Sequence, residues 1–105
     1  MRHYNGWLWG KLREEFGDAV EVNYSPLIIV NTHRKKYKIW SPPPQDYRVS
    51  RDCVREVSEI GGNLISYANL WGEPTLESES AAKQYGIELL KHGATINVIR
   101  RSLRG

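Results

Sequence analysis

Apolar residues recur at every fourth position near the start of the chain, where Tyr4, Leu8, Leu12 and Phe16 fall in line, Trp7 lies beside them, and Lys11, Glu14 and Glu15 lie off the stripe. This is the period of an amphipathic helix, and it predicts one over 3–16 that Gly17-Asp18 ends. Val20, Val22 and Tyr24 then alternate with Glu21 and Asn23, the period of a half-buried strand. After Ser25-Pro26, the run Leu27-Ile28-Ile29-Val30 is short, continuous and rich in branched side chains, which predicts a strand buried on both faces. A polar turn from Asn31 to Lys35 leads into Lys36-Tyr37-Lys38-Ile39-Trp40, which alternates again. It stops at Ser41-Pro42-Pro43-Pro44, because prolines have no N–H to give to a ladder.

Ser50 reads as a helix N-cap, with Val49 placed to staple onto Val54. The helix it starts carries Val49, Cys53, Val57 and Ile60 on one stripe, with Arg51, Asp52, Arg55 and Glu59 away from it, and Gly61-Gly62 supplies the left-handed end. Asn63 to Trp71 reads as a fourth strand, ended by Gly72-Glu73-Pro74. Thr75 or Ser78 caps a second long helix that places Ala81, Ala82, Tyr85 and Leu89 on one face and runs to His92, with Gly93 closing it. In that reading Gly86 lies in the helix interior, at a cost of about 1 kcal/mol relative to Ala. Ala94 to Ile99 alternates as a fifth strand before the arginine tail. The predicted order is α-β-β-β-α-β-α-β, an α/β (α+β) single domain over 1–105 with a mixed sheet of about five strands flanked by helices. The connection through the middle helix is long enough to make the third and fourth strands parallel, and the first three form an antiparallel meander.

A length of 105 residues leaves room for one core, and 40% hydrophobic with 26% charged residues excludes a disordered or disulfide-stapled chain. Cys53 is the only cysteine, so no internal disulfide forms; it reads as a core residue of a protein from a reducing, cytoplasmic compartment. Neither a run of about 18 to 20 apolar residues nor the apolar centre of a leader peptide is visible, so no membrane partner is expected.

The net charge is only +3, but its distribution is uneven. His33-Arg34-Lys35-Lys36-Tyr37-Lys38 sits at the tip of the predicted hairpin, Arg100-Arg101-Ser102-Leu103-Arg104 closes the chain, and acidic residues crowd into 73–88. Each basic cluster reads either as a solvated turn or tail, or, taken together, as one basic face.

The element order is similar to the α-β-β-β-α-β core of the PD-(D/E)xK nucleases, the restriction-endonuclease-like fold, whose small members include archaeal Holliday-junction resolvases and the virus-type replication-repair nuclease domain. Leu12-Arg13-Glu14-Glu15-Phe16-Gly17 resembles the end of their first helix, Pro26-Leu27-Ile28-Ile29-Val30 their second strand, and Tyr37-Lys38-Ile39-Trp40 their third. The helix ending in Gly61-Gly62 before a strand is similar too, so the resemblance covers about 3–71 and leaves the helix and strand at about 75–100 as an addition. In that family an acidic residue follows the proline, and an acid-x-Lys triplet lies on the next strand, so that two carboxylates hold a divalent cation and the lysine serves the attacking water. Here those positions hold Leu27, Trp40 and Pro42, none of which can ligate a metal or titrate. The resemblance therefore implies a nuclease-like domain without the usual metal site and with no cofactor. A displaced site would draw on Glu21, Lys38 and Asp46 and would need magnesium.

Other chemistry has less to stand on. His3, His33 and His92 lack metal-ligand spacing, no Gly-Lys-Ser/Thr phosphate loop occurs, and no nucleophile has a recognisable base. Trp7 and Trp9 are about 200° apart on their helix, so one lies at an edge. Tyr37 and Trp40 flank Lys38, where they serve sheet packing, stacking of unpaired bases, or a protein interface. The first functional expectation is a noncatalytic binder of DNA or RNA that contacts phosphates through Arg34, Lys35, Lys36, Tyr37 and Lys38, helped by Arg100, Arg101 and Arg104. The second is a small interaction, inhibitor or accessory protein, or a homodimer, that uses exposed aromatics and the Pro42-Pro43-Pro44 loop. The third is a metal-dependent nuclease with the displaced residues above.

Overall fold

The computed structural model describes residues 6–22, 26–42, 49–68 and 75–104. Helix α1 (Gly6–Phe16) and a 3-10 turn (Gly17–Ala19) precede strands β1 (Ile28–Asn31) and β2 (Lys36–Trp40). Helix α2 (Arg51–Glu59), strand β3 (Leu64–Tyr67), helix α3 (Leu76–Tyr85), strand β4 (Glu88–Lys91) and helix α4 (His92–Arg104) follow. The four strands form one mixed sheet in the order β1-β2-β3-β4, antiparallel between β1 and β2 and parallel across the other two pairs.

Alternation along the strands divides the core into two layers. Ile28, Val30, Tyr37, Ile39 and Leu64 face Leu8 and Leu12 of α1 and Ile99 of α4. Ile65 and Tyr67 face Val54 and Val57 of α2 and Ala81 and Ala82 of α3. β3 is buried at all four positions because helices cover both of its faces. Leu8 and Leu12 are fully buried, each worth about 1.5–3 kcal/mol of apolar transfer, and this anchors α1 to the sheet. Trp9 is half-buried and Trp7 is 58% exposed, the edge position that their angular separation requires.

Several boundaries differ from the sequence reading. The strand expected at Val20 to Tyr24 is an isolated bridge, Val20 to Val30, with the Glu21 N–H donating to the Ile29 carbonyl at 2.9 Å; residues 23–25 lie outside the described residues. Helix α2 is capped by Ser50, whose side chain accepts from the Cys53 N–H, but its buried stripe is Val54 and Val57. Cys53 is half-buried against that layer, and Ile60 is 47% exposed. The fourth expected strand is confined to Leu64–Tyr67, and residues 69–74 lie outside the described residues.

The largest correction concerns the C-terminal third. Thr75 caps α3 as expected, but the helix ends at Tyr85, where Gly86 takes a left-handed φ of 71° and the Ile87 N–H closes back on the Ala82 carbonyl at 2.8 Å. Glu88–Lys91, read as the end of that helix, is instead β4 paired along β3. A strand buried on both faces needs a ladder partner for its backbone groups on each side, and β4 supplies the second. The segment Ala94 to Ile99, read as a strand, lies within α4. Its buried positions are Thr95, Ile99 and Ser102, a helical spacing in which two of the three members are polar, so the apolar alternation of Ala94, Ile96 and Val98 masked it.

Candidate nucleic-acid interface

The β1–β2 turn is built by Thr32, whose hydroxyl donates to the Lys35 carbonyl at 2.7 Å and accepts from the Lys35 N–H at 3.2 Å. Below it, Asn63 holds β2 with its side chain, accepting from the Lys38 N–H at 2.8 Å and donating to the Lys36 carbonyl at 3.0 Å. The basic run therefore sits on a rigid support. Arg34, Lys35 and Lys36 are exposed, Lys38 is half-buried, and Arg34, Lys36 and Lys38 form no ion pair among the described residues.

Lys35 is held differently from its neighbours. Its ammonium lies 4.9 Å from the centre of the Tyr37 ring and 3.8 Å from a Glu88 carboxylate oxygen. Tyr37 is 4% exposed under that lysine, so its ring offers no face to a base. Trp40, half-buried against the α2 and α3 layer, is spent on packing as well.

The Tyr37 hydroxyl shares a hydrogen bond of 2.8 Å with the Ser102 hydroxyl. This contact seats the last turn of α4 against the root of the hairpin and brings exposed Arg101 and Arg104 to the same end of the molecule as Arg34 and Lys36. Arg100 is committed elsewhere: it pairs with Glu15 of α1 through two nitrogens and donates to Asn97 at 2.9 Å. Tyr37 and Ser102 act as a structural joint that no charge or motif scan singles out.

Of the three residues of a displaced metal site, Asp46 lies outside the described residues. The Glu21 carboxylate accepts from the Asn31 amide at 2.8 Å, and Asn31 shares a sheet face with Ile29, the register partner of Lys38. Glu21 and Lys38 thus lie on one side of the sheet, across β1 from each other. No group of three His, Cys, Asp or Glu gathers to hold a metal ion among the described residues. A groove of about 200 Å³ between α2 and α3 is lined by Arg51, Asp52, Arg55, Ala81, Gln84 and Tyr85. There Arg55 is shared between Asp52 and Glu59 at 3.8 Å each. No helix among the described residues is long and apolar enough to cross a membrane.

One titratable group stands out away from the basic end. His92, half-buried at the start of α4, has its pKa lowered by burial, and its Nδ1 lies 2.6 Å from the Ser66 hydroxyl. Compared with family models, curated proteins and solved structures, the chain matches none.

Proposed function

We propose that this chain binds nucleic-acid phosphates without cleaving the strand, through the end of the molecule where the β1–β2 turn meets the last turn of α4. The observation that carries the reading is the Tyr37 to Ser102 hydrogen bond, which ties the last turn of α4, 65 positions away, to the root of the basic hairpin. Lys36 and Lys38 alternate with Tyr37 along β2, so they leave the sheet on its other face at that same end. Arg34, Lys36, Arg101 and Arg104 supply its exposed charge, with Lys38 at its margin. All are point charges or guanidinium forks on a polar surface, the chemistry of backbone contact rather than base reading. The resemblance to the PD-(D/E)xK core is supported by strand pairing: a bridge at Val20, antiparallel β1 and β2, then α2 crossing to a parallel β3. The non-ligating Leu27, Trp40 and Pro42 favour a binder over a nuclease.

Fluorescence anisotropy with single-stranded, duplex and branched DNA and with RNA, at two salt concentrations and in chelator, tests this. Salt-sensitive binding with intact substrate is expected, and Arg34→Ala and Lys36→Ala should each flatten the salt slope by about one unit for every sequence. Affinity unchanged by both substitutions rejects the surface. Loss of substrate on adding magnesium, abolished by Glu21→Gln, would favour the nuclease reading, for which the placement of Glu21 and Lys38 on one side of the sheet is the supporting observation. Failure of every nucleic acid to bind at low salt would turn the search to protein partners.

A further inference from the structure

Behind the edge where α4 begins, three side chains and one carbonyl stand end to end. Ser66, fully buried in β3, has its hydroxyl oxygen 2.6 Å from His92 Nδ1 and 2.8 Å from Thr95 Oγ1. Thr95 Oγ1 lies in turn 3.0 Å from the main-chain carbonyl of Lys91. The exposed Trp7 ring of α1 lies against the imidazole, with centroids 5.5 Å apart and planes tilted by 49°.

Each hydroxyl has one proton to give, so the chain of bonds has a direction. In the Nε2–H tautomer of neutral His92, Ser66 donates to Nδ1 and Thr95 donates to Ser66. With His92 cationic, Nδ1 must donate; Ser66 then accepts from it and donates to Thr95, and Thr95 turns its proton to the Lys91 carbonyl. That carbonyl allows the second arrangement to leave no buried donor orphaned.

We propose that Ser66, His92 and Thr95 form a pH-sensitive clasp between β3 and α4 that takes up a proton by reversing its hydrogen bonds rather than by breaking them. The charged side chains nearest to it along the packed elements are Lys91, which precedes His92 on β4, and Lys11, one turn on from Trp7 on α1; β3 contributes none. No carboxylate pairs with His92 among the described residues. Burial and the first turn of α4 both disfavour the imidazolium, so its formation depends on the acceptors that the reversed chain provides.

Long-range proton–nitrogen NMR of the imidazole in the full chain, followed from neutral to acid pH, tests the clasp. The Nε2–H tautomer is expected at neutral pH, and the protonated ring should remain within a folded spectrum. Thr95→Val leaves the Ser66 proton without an acceptor once His92 is charged, so the His92 midpoint should fall by about one pH unit, tenfold in the protonation equilibrium. A neutral ring protonated at Nδ1, or a midpoint unmoved by Thr95→Val, overturns the proposal. The tautomer is read on the unsubstituted chain, so the test stands even where the variant does not fold.

Discussion

Single atoms decide several outcomes here. A Cβ added at Gly62 would lie 2.4 Å from Val57 Cγ1 and 3.2 Å from the Val57 carbonyl oxygen, a stiff side chain and the backbone. Gly62→Ala should therefore cost about 1–3 kcal/mol, read as a lower urea midpoint at unchanged slope. Gly10, inside α1, has nothing within 4 Å of such a Cβ, so Gly10→Ala should stabilise by about 0.5–1 kcal/mol in the same measurement. His92 adds a pH dependence whose sign follows from its lowered folded pKa. The unfolded chain binds the proton more readily, so stability is full above the ordinary value of about 6.5 and is lost as pH falls below it, levelling off once the folded imidazole is charged. Urea midpoints should decline over that window in the natural chain, and the decline should shrink in His92→Gln. The surroundings of His92 were out of reach of the sequence, because Ser66 and Trp7 reach it only through tertiary packing.

The elements show where local chemistry suffices. Both α2 and α3 begin on a side-chain cap, Ser50 and Thr75, and end on a left-handed glycine, Gly61 and Gly86, with the following N–H closing back five residues at 2.8 Å in each case. Thr75→Ala should lower stability by about 1 kcal/mol, and Gly86→Ala by about 1–2 kcal/mol through the strained φ of 71°. Thermal melts of the pair would check both, and a neutral Gly86→Ala would reject the terminator role. Residue type and position mark Ser50 and Gly61 in the sequence and leave Thr75 and Ser78 as alternative caps, whereas Gly86 falls inside a continuing helical pattern. The apolar Ile87, Leu89 and Leu90 continue a helical pattern as readily as they form a strand. Only the need of β3 for a second ladder partner separates the alternatives.

Across the whole molecule, charge counts less than what holds it. Arg100, tied to Glu15 across the α1–α4 contact, should cost nucleic-acid affinity less when changed to Ala than Lys36 does, in a salt titration of each variant. By itself the sequence determined the α/β class, the hairpin, its basic tip and the crossover from β2 to β3, because period, caps and prolines act over a few residues. It also offered Arg34 to Lys38 and Arg100 to Arg104 either as solvated segments or as one basic face, with nothing local to decide between them. Tertiary structure alone decided that Ala94 to Ile99 is helix, that Tyr37 is buried, and that Ser102 brings the two basic segments to one end. The physical reason is common to all three. Thr95 and Ser102 are polar residues buried against hydrogen-bond partners, and a pattern of apolar positions carries no trace of a polar side chain whose partner lies 29 or 65 residues away.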